Sequence, residues 1–216
     1  WWSCKYLNQL FGIQVGGFFD LNKGLYLNHE IADGKEPIAV DLAVTGDKKT
    51  FDNHYSLPDL QRINPNVIKR PYFKKYNGST FAMMLSLYNR DLSALSERQL
   101  TALLVCDGWY QGYYNKGGRY KDVNIYWMQM LDMDKCLLPL LESYDQQYFE
   151  SFRIKEKINA TFCVKDKRLH CDKCRIHFPD RNFELVKPVK RLFVNRYTIN
   201  QYNNILTAAS TYKDQY

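Results

Sequence analysis

The sequence has no run of about 18 apolar residues, so no transmembrane helix is expected. No basic segment followed by a short apolar stretch opens it, so no signal peptide is read. It has no internal repeat and no low-complexity tract, which sets aside solenoid and fibrous architectures. An initiator Met is absent too: the chain opens on "WWSCKYLNQLFG", a helix already under way, and we expect a further N-terminal piece upstream of Trp1. With no secretory signal, the scattered cysteines at 4, 106, 136, 163, 171 and 174 read as reduced thiols of a cytoplasmic protein rather than as a disulfide framework.

What is present suits one large domain or two small ones. The 216 residues are enough to bury a real core. Tyr and Phe are abundant, which fits either that core or a surface on which rings stack. The net charge of +7 is unevenly spread. Residues 153–196 carry 13 Lys/Arg against 5 Asp/Glu, whereas the rest of the chain carries 17 against 18. The positive excess thus lies in the C-terminal part and points to a polyanion met there.

Apolar spacing predicts a helix over residues 1–11 and strands in "IQVGGFFDL", "EPIAVDLAV" and "KKTFD". The second strand is apolar on both faces, as a buried parallel strand is. "LPDLQRINPN" is turn-rich. "GSTFAMMLSLY" starts a helix that Ser79 or Thr80 can cap, and Ser96 with Gln99 has capping-box spacing. Residues 123–152 read as one long helical region, kinked or broken at Pro139. Beyond Ile158 the pattern turns to short β-like runs: "ATFCV", "LHC" and "RLFVNRY". The expected organisation is an α/β parallel-sheet domain over residues 1–150 and a smaller, basic, mixed α/β part over 151–216.

Two neighbouring strands end on acid. Asp41 closes one; Asp52, Asn53 and His54 close the other. In parallel α/β sheets, ligands bind beyond the carboxyl ends of the strands. A third acid, Asp107, ends the apolar run "LTALLVCDGW". Carboxylates joined by an imidazole suit Mn²⁺ or Mg²⁺, and the set is the inventory of a two-metal phosphoester hydrolase. Asp, Asn and Gly are also ordinary turn residues, so spacing alone leaves both readings open.

The order "VDLAV … FDNH … LPDLQRINPN … YNGSTFAMMLSLY … LTALLVCDGW" resembles the DHH phosphoesterase superfamily, in its exonuclease and oligoribonuclease-like branch, over roughly residues 1–110. The resemblance implies a metal-dependent phosphodiesterase acting on single-stranded nucleic acid or short oligonucleotides with two Mn²⁺ or Mg²⁺ ions. Asp41, Asp52, His54 and Asp107 would be catalytic. Asp41 and Asp107 would hold metal, with Asn53 standing where the family has a ligand histidine. His54, Ser79 and Thr80 would face the substrate. Three features depart from the family pattern. The His-x-Asp-x-Asp opening motif is absent from these residues, the third motif is Asp-Asn-His, and no Gly-Gly-Gly-His loop follows. These departures keep a second reading in view, a catalytically degenerate nucleic-acid-binding protein on the same scaffold.

"CVKDKRLHCDKCRIH" places Cys171 and Cys174 in a C-x-x-C, with Cys163, His170 and His177 nearby. That is half of a structural zinc site, for which Cys163, Cys171, Cys174 and His177 are the candidate ligands. The same segment interleaves Phe162, Phe178, Phe183, Phe193 and Tyr197 with Lys and Arg. This pattern suits a single-strand-binding surface, or equally strands with rings inside and cations outside.

Overall fold

The computed structural model describes residues 1–20, 22–42, 44, 49–56, 62–66, 72–115, 119–158, 161–171 and 182–188. In chain order the elements are α1 (Trp2–Phe11), β1 (Gly17–Asp20), β2 (Gly24–Asn28), α2 (His29–Ala32), β3 (Ile38–Val40), β4 (Lys49–Phe51) and β5 (Arg62–Ile63). There follow α3 (Thr80–Leu87), α4 (Glu97–Val105), α5 (Trp109–Tyr114), α6 (Lys121–Met130), α7 (Asp134–Ser143) and α8 (Gln146–Lys155), then β6 (Phe162–Lys165), β7 (Arg168–Cys171) and β8 (Phe183–Pro188). The chain is mixed α/β with small sheets, one of them parallel. Among the described residues no helix is long and apolar enough to cross a membrane.

Two units form, and their boundary is not a single cut. One comprises residues 1–12 and 38–160, the other 13–37 and 161–216. The sequence reading placed 13–37 with the first domain. Strand pairing puts it elsewhere: β2 lies between β1 and β8, antiparallel to both, so a hairpin near the start is completed by a strand far along the chain. The second unit also holds the antiparallel β6–β7 hairpin. "RLFVNRY" lies outside the described residues.

The first unit is built on the parallel sheet β3-β4-β5. Its strands are shorter than the apolar runs suggest, because "EPIAVDLAV" pairs only over Ile38–Val40. Helices α3–α8 supply the core, in which Met84, Leu104, Trp109, Tyr110, Met128, Leu137 and Phe149 are all fully buried. Much of the aromatic surplus is spent there. Tyr110 stacks on Phe149 at 5.4 Å, and Tyr76 meets Trp109 and Trp127 edge-on.

Helix ends follow the local chemistry. The Ser79 hydroxyl accepts from the Ala82 amide at the start of α3, and Ser96 with Gln99 closes a full capping box on α4. The region 123–152 does not break at Pro139, which lies inside α7. The breaks fall at Asp132, whose φ of 54° leaves the helical region, and at Asp145, whose carboxylate caps α8 by accepting from the Tyr148 amide. The buried face of α7 (Leu137, Leu140, Leu141) holds the helix together across the one amide that Pro139 lacks.

Candidate metal centre at the parallel strand ends

The register of the parallel sheet sets the site. Val40 pairs with Phe51, and Phe51 with Ile63. One step further, the Asp41 amide donates to the Phe51 carbonyl (2.8 Å) and the Asp52 amide to the Ile63 carbonyl (3.1 Å). Asp41, Asp52 and Asn64 therefore stand side by side at the carboxyl ends of three adjacent strands, the expected location of a ligand site in such a sheet. Thr50 steadies the turn after Asp41 by donating its hydroxyl to the Leu42 carbonyl at 2.8 Å.

Asp52 is fully buried. A buried carboxylate needs donors, and His54 Nδ1 donates to its Oδ1 at 2.6 Å while Asn64 Nδ2 lies 3.4 Å from its Oδ2. The imidazole itself is largely exposed, at 63 %. Asp41 is exposed, takes φ 58°, and accepts from the Thr80 hydroxyl at 2.9 Å. One donor atom each from Asp41, Asp52 and His54 lies within 4.8 Å of the others. Among the described residues this is the one group of three or more acidic, His or Cys side chains drawn so close.

Asp107 lies in the turn between α4 and α5, outside the close group, and is exposed. It too is left-handed (φ 54°), and Gly108 after it has φ 70°. The left-handed region strains residues with a β-carbon, though Asp bears it better than most. Partial desolvation chiefly, and then the Asp41 carboxylate, push the Asp107 pKa up; His54 acts the other way. The His54 pKa is raised, first by its hydrogen bond to Asp52 and further by the charges of Asp52, Asp41 and Asp107, against a lowering by partial burial. The four groups thus share one electrostatic neighbourhood. Beside them, burial and the Asp107 charge push the Cys106 thiol up to about 12 despite a hydrogen bond with Ser79.

The expected ligand set changes in detail. Asp52 and His54 lie beside Asp41, whereas Asp107, expected as a metal ligand, is not in the close group. Asn53 donates its amide to the Gly78 carbonyl at 2.7 Å, tying the end of β4 to the approach to α3. Ser79 and Thr80 are buried, at 0 % and 1 %, so the hydroxyls expected to face substrate serve instead as a helix cap and as a donor to Asp41.

Sequence reasoning passed over the asparagines behind the site. Asn66 is fully buried and donates to the carbonyls of Asn53 (2.6 Å) and Tyr76 (2.7 Å), while its own oxygen accepts from the Tyr76 amide (2.7 Å). Asn64 donates to the His54 carbonyl (2.7 Å) and to Ser56 Oγ (3.0 Å). The only sequence signal was the turn-forming "INPN" itself.

Of the four candidate zinc ligands, Cys163 and Cys171 lie among the described residues. Cys171 is disulfide-bonded, which withdraws its sulfur as a thiolate and departs from the all-reduced expectation. Cys163 is a thiol on β6 whose register partner is His170. Cys174 and His177 lie outside the described residues, as do Phe178, Phe193, Tyr197 and most of the basic tail.

No known family profile, no curated protein and no solved structure matches this chain.

Proposed function

We propose that this chain is a metal-dependent phosphoesterase of the DHH kind, hydrolysing phosphodiester bonds in single-stranded nucleic acid or short oligonucleotides. The observation that carries the reading is the convergence of Asp41, Asp52 and His54 beyond the ends of two parallel strands. Two carboxylates and an imidazole fit a hard or borderline dication, and the nitrogen donor favours Mn²⁺ over Mg²⁺. Asp41, Asp52 and His54 would hold that ion, which when bound supplies Lewis-acid polarisation of a phosphoryl oxygen and acidifies a water. Thr80 orients the Asp41 carboxylate. Asp107, its acidity weakened by partial desolvation and by Asp41, would add a ligand or exchange a proton with the leaving oxygen. A second ion would need donors beyond the triad, from Asp107 and from residues outside the described set. The Lys/Arg excess over 153–196 supports a polyanionic substrate held by its phosphates.

A second reading, a nucleic-acid binder without catalysis, draws on Asn53. At the position of a family ligand histidine it offers an amide, whose nitrogen donates to a main-chain carbonyl. A phosphodiesterase assay of the full-length protein with Mn²⁺ against single strands, dinucleotides and pyrophosphate separates the two. The first reading expects Mn²⁺-dependent cleavage of single strands or dinucleotides, lost in Asp41→Asn. Single-strand binding with no cleavage of any substrate would establish the second.

A further inference from the structure

The Asp52 carboxylate is fully buried, and its two oxygens face two different donors: His54 on Oδ1 and Asn64 on Oδ2. The Asn64 amide reaches further than Asp52. It also donates to the main-chain carbonyl of His54 and to Ser56 Oγ, while its oxygen accepts from the Asn66 amide at 2.8 Å. Two hydrogens serve three acceptors, so the Asp52 contact is the longest and is shared. One half-buried side chain therefore touches both the acid and the backbone of the imidazole residue two positions on. It does so from the end of β5, in register with the strand ends that carry Asp41 and Asp52.

We propose that Asn64 is the positioning residue of this site: its amide fixes the Asp52 carboxylate and the 52–56 turn so that Asp52 and His54 present their donors toward Asp41. The inference rests on the metal-site reading above. Asn66 has a separate task. Its side chain bonds main-chain groups of Asn53 and Tyr76, so it holds the scaffold, whereas the Asn64 side chain acts on the site itself. Partners behind metal ligands fix ligand orientation, and losing one costs about 10–100-fold in metal affinity.

The test has a metal-free arm and a metal arm, both on the full chain. In the first, protein labelled with ¹⁵N at histidine is examined by NMR in EDTA. Wild type is expected to show a hydrogen-bonded Nδ1–H resonance from His54, and Asn64→Ala is expected to lose it. Asn64→Asp keeps an acceptor for the Asn66 amide but removes the donors, and it should lose the resonance too. It also serves if the alanine variant fails to fold. In the second arm, free Mn²⁺ is counted by EPR, and Asn64→Ala should weaken binding about tenfold. A remote core truncation, Leu137→Ala, lowers stability without touching the site and should leave Mn²⁺ affinity unchanged. A resonance retained in both Asn64 variants, or absent from wild type, would overturn the proposal. So would unchanged Mn²⁺ affinity in Asn64→Ala. Loss of the resonance in a protein whose wild type binds no Mn²⁺ would sustain the positioning role and overturn only the metal reading.

Discussion

Replacing Asp52 by Asn should separate what this residue does for the fold from what it does for the site. The amide is nearly isosteric, so packing is preserved. Two electrostatic effects then oppose one another in the metal-free protein. The carboxylates of Asp41 and Asp52 lie within 4.8 Å, which at an effective dielectric of 20 is a repulsion of about 3.5 kcal/mol. Asp41 is exposed, and screening brings this to about 1 kcal/mol. Against that relief stands the loss of the charge-assisted bond to His54. With the imidazole 63 % exposed, that loss falls near the low end of its range, about 1.5 kcal/mol. The balance is close to zero, so the melting temperature in EDTA should move by no more than a few degrees.

With Mn²⁺ the outcome reverses. At a hundred times Kd a single ion stabilises wild type by about 2.7 kcal/mol, or about 5–10 °C for a chain of this length. Asp52→Asn should lose most of that gain, because an amide oxygen is a poor substitute for an anionic ligand. The assay is a pair of thermal melts, with EDTA and with Mn²⁺. A variant that keeps the full Mn²⁺-dependent shift would refute the ligand role. One that collapses in EDTA by more than about 4 kcal/mol would show that Asp52 is a structural carboxylate.

Asn66→Ala removes three hydrogen bonds, two of them buried, and should destabilise by about 3 kcal/mol; a melting point within 2 °C of wild type would contradict the anchoring role. The His54 pKa is raised, so in EDTA its ion pair with Asp52 contributes fully below the unfolded value near 6.5 and is lost as pH rises through the folded value. Wild type should therefore lose stability over that window relative to His54→Gln, and parallel pH profiles would count against the pair. Cys106, pushed up to about 12, should resist iodoacetamide at pH 8 in the native protein and react in denaturant; native labelling at Cys106 would show that the fold does not hold its thiol protonated.

The parts of the site fixed by local chemistry were readable in advance. Asp41, Asp52, His54 and Asp107 each follow an apolar run, and turn-forming residues at strand ends mark where a parallel sheet opens to ligands. The Ser96–Gln99 box and the Ser79 cap were equally local. Non-local pairings left no such mark. Nothing in "GLYLN" says that it meets "FELVKP" across more than 150 residues, so the hairpin at 17–28 was assigned to the wrong unit. Pro139 misled because tertiary burial of α7 outweighs one missing hydrogen bond, whereas Asp132 and Asp145 end and start helices without a proline. That the Asn53 amide would tie the end of β4 to the Gly78 carbonyl left no mark either, because the contact joins residues 25 apart.

The central claim is that the strand ends hold a dication. Crystals of the full-length protein grown with Mn²⁺ and measured at the manganese absorption edge test it most directly. The account predicts an anomalous difference peak bounded by the carboxylates of Asp41 and Asp52 and the imidazole of His54. A fully ordered site with no peak there at millimolar Mn²⁺, or a peak only at surface acids elsewhere, would contradict it.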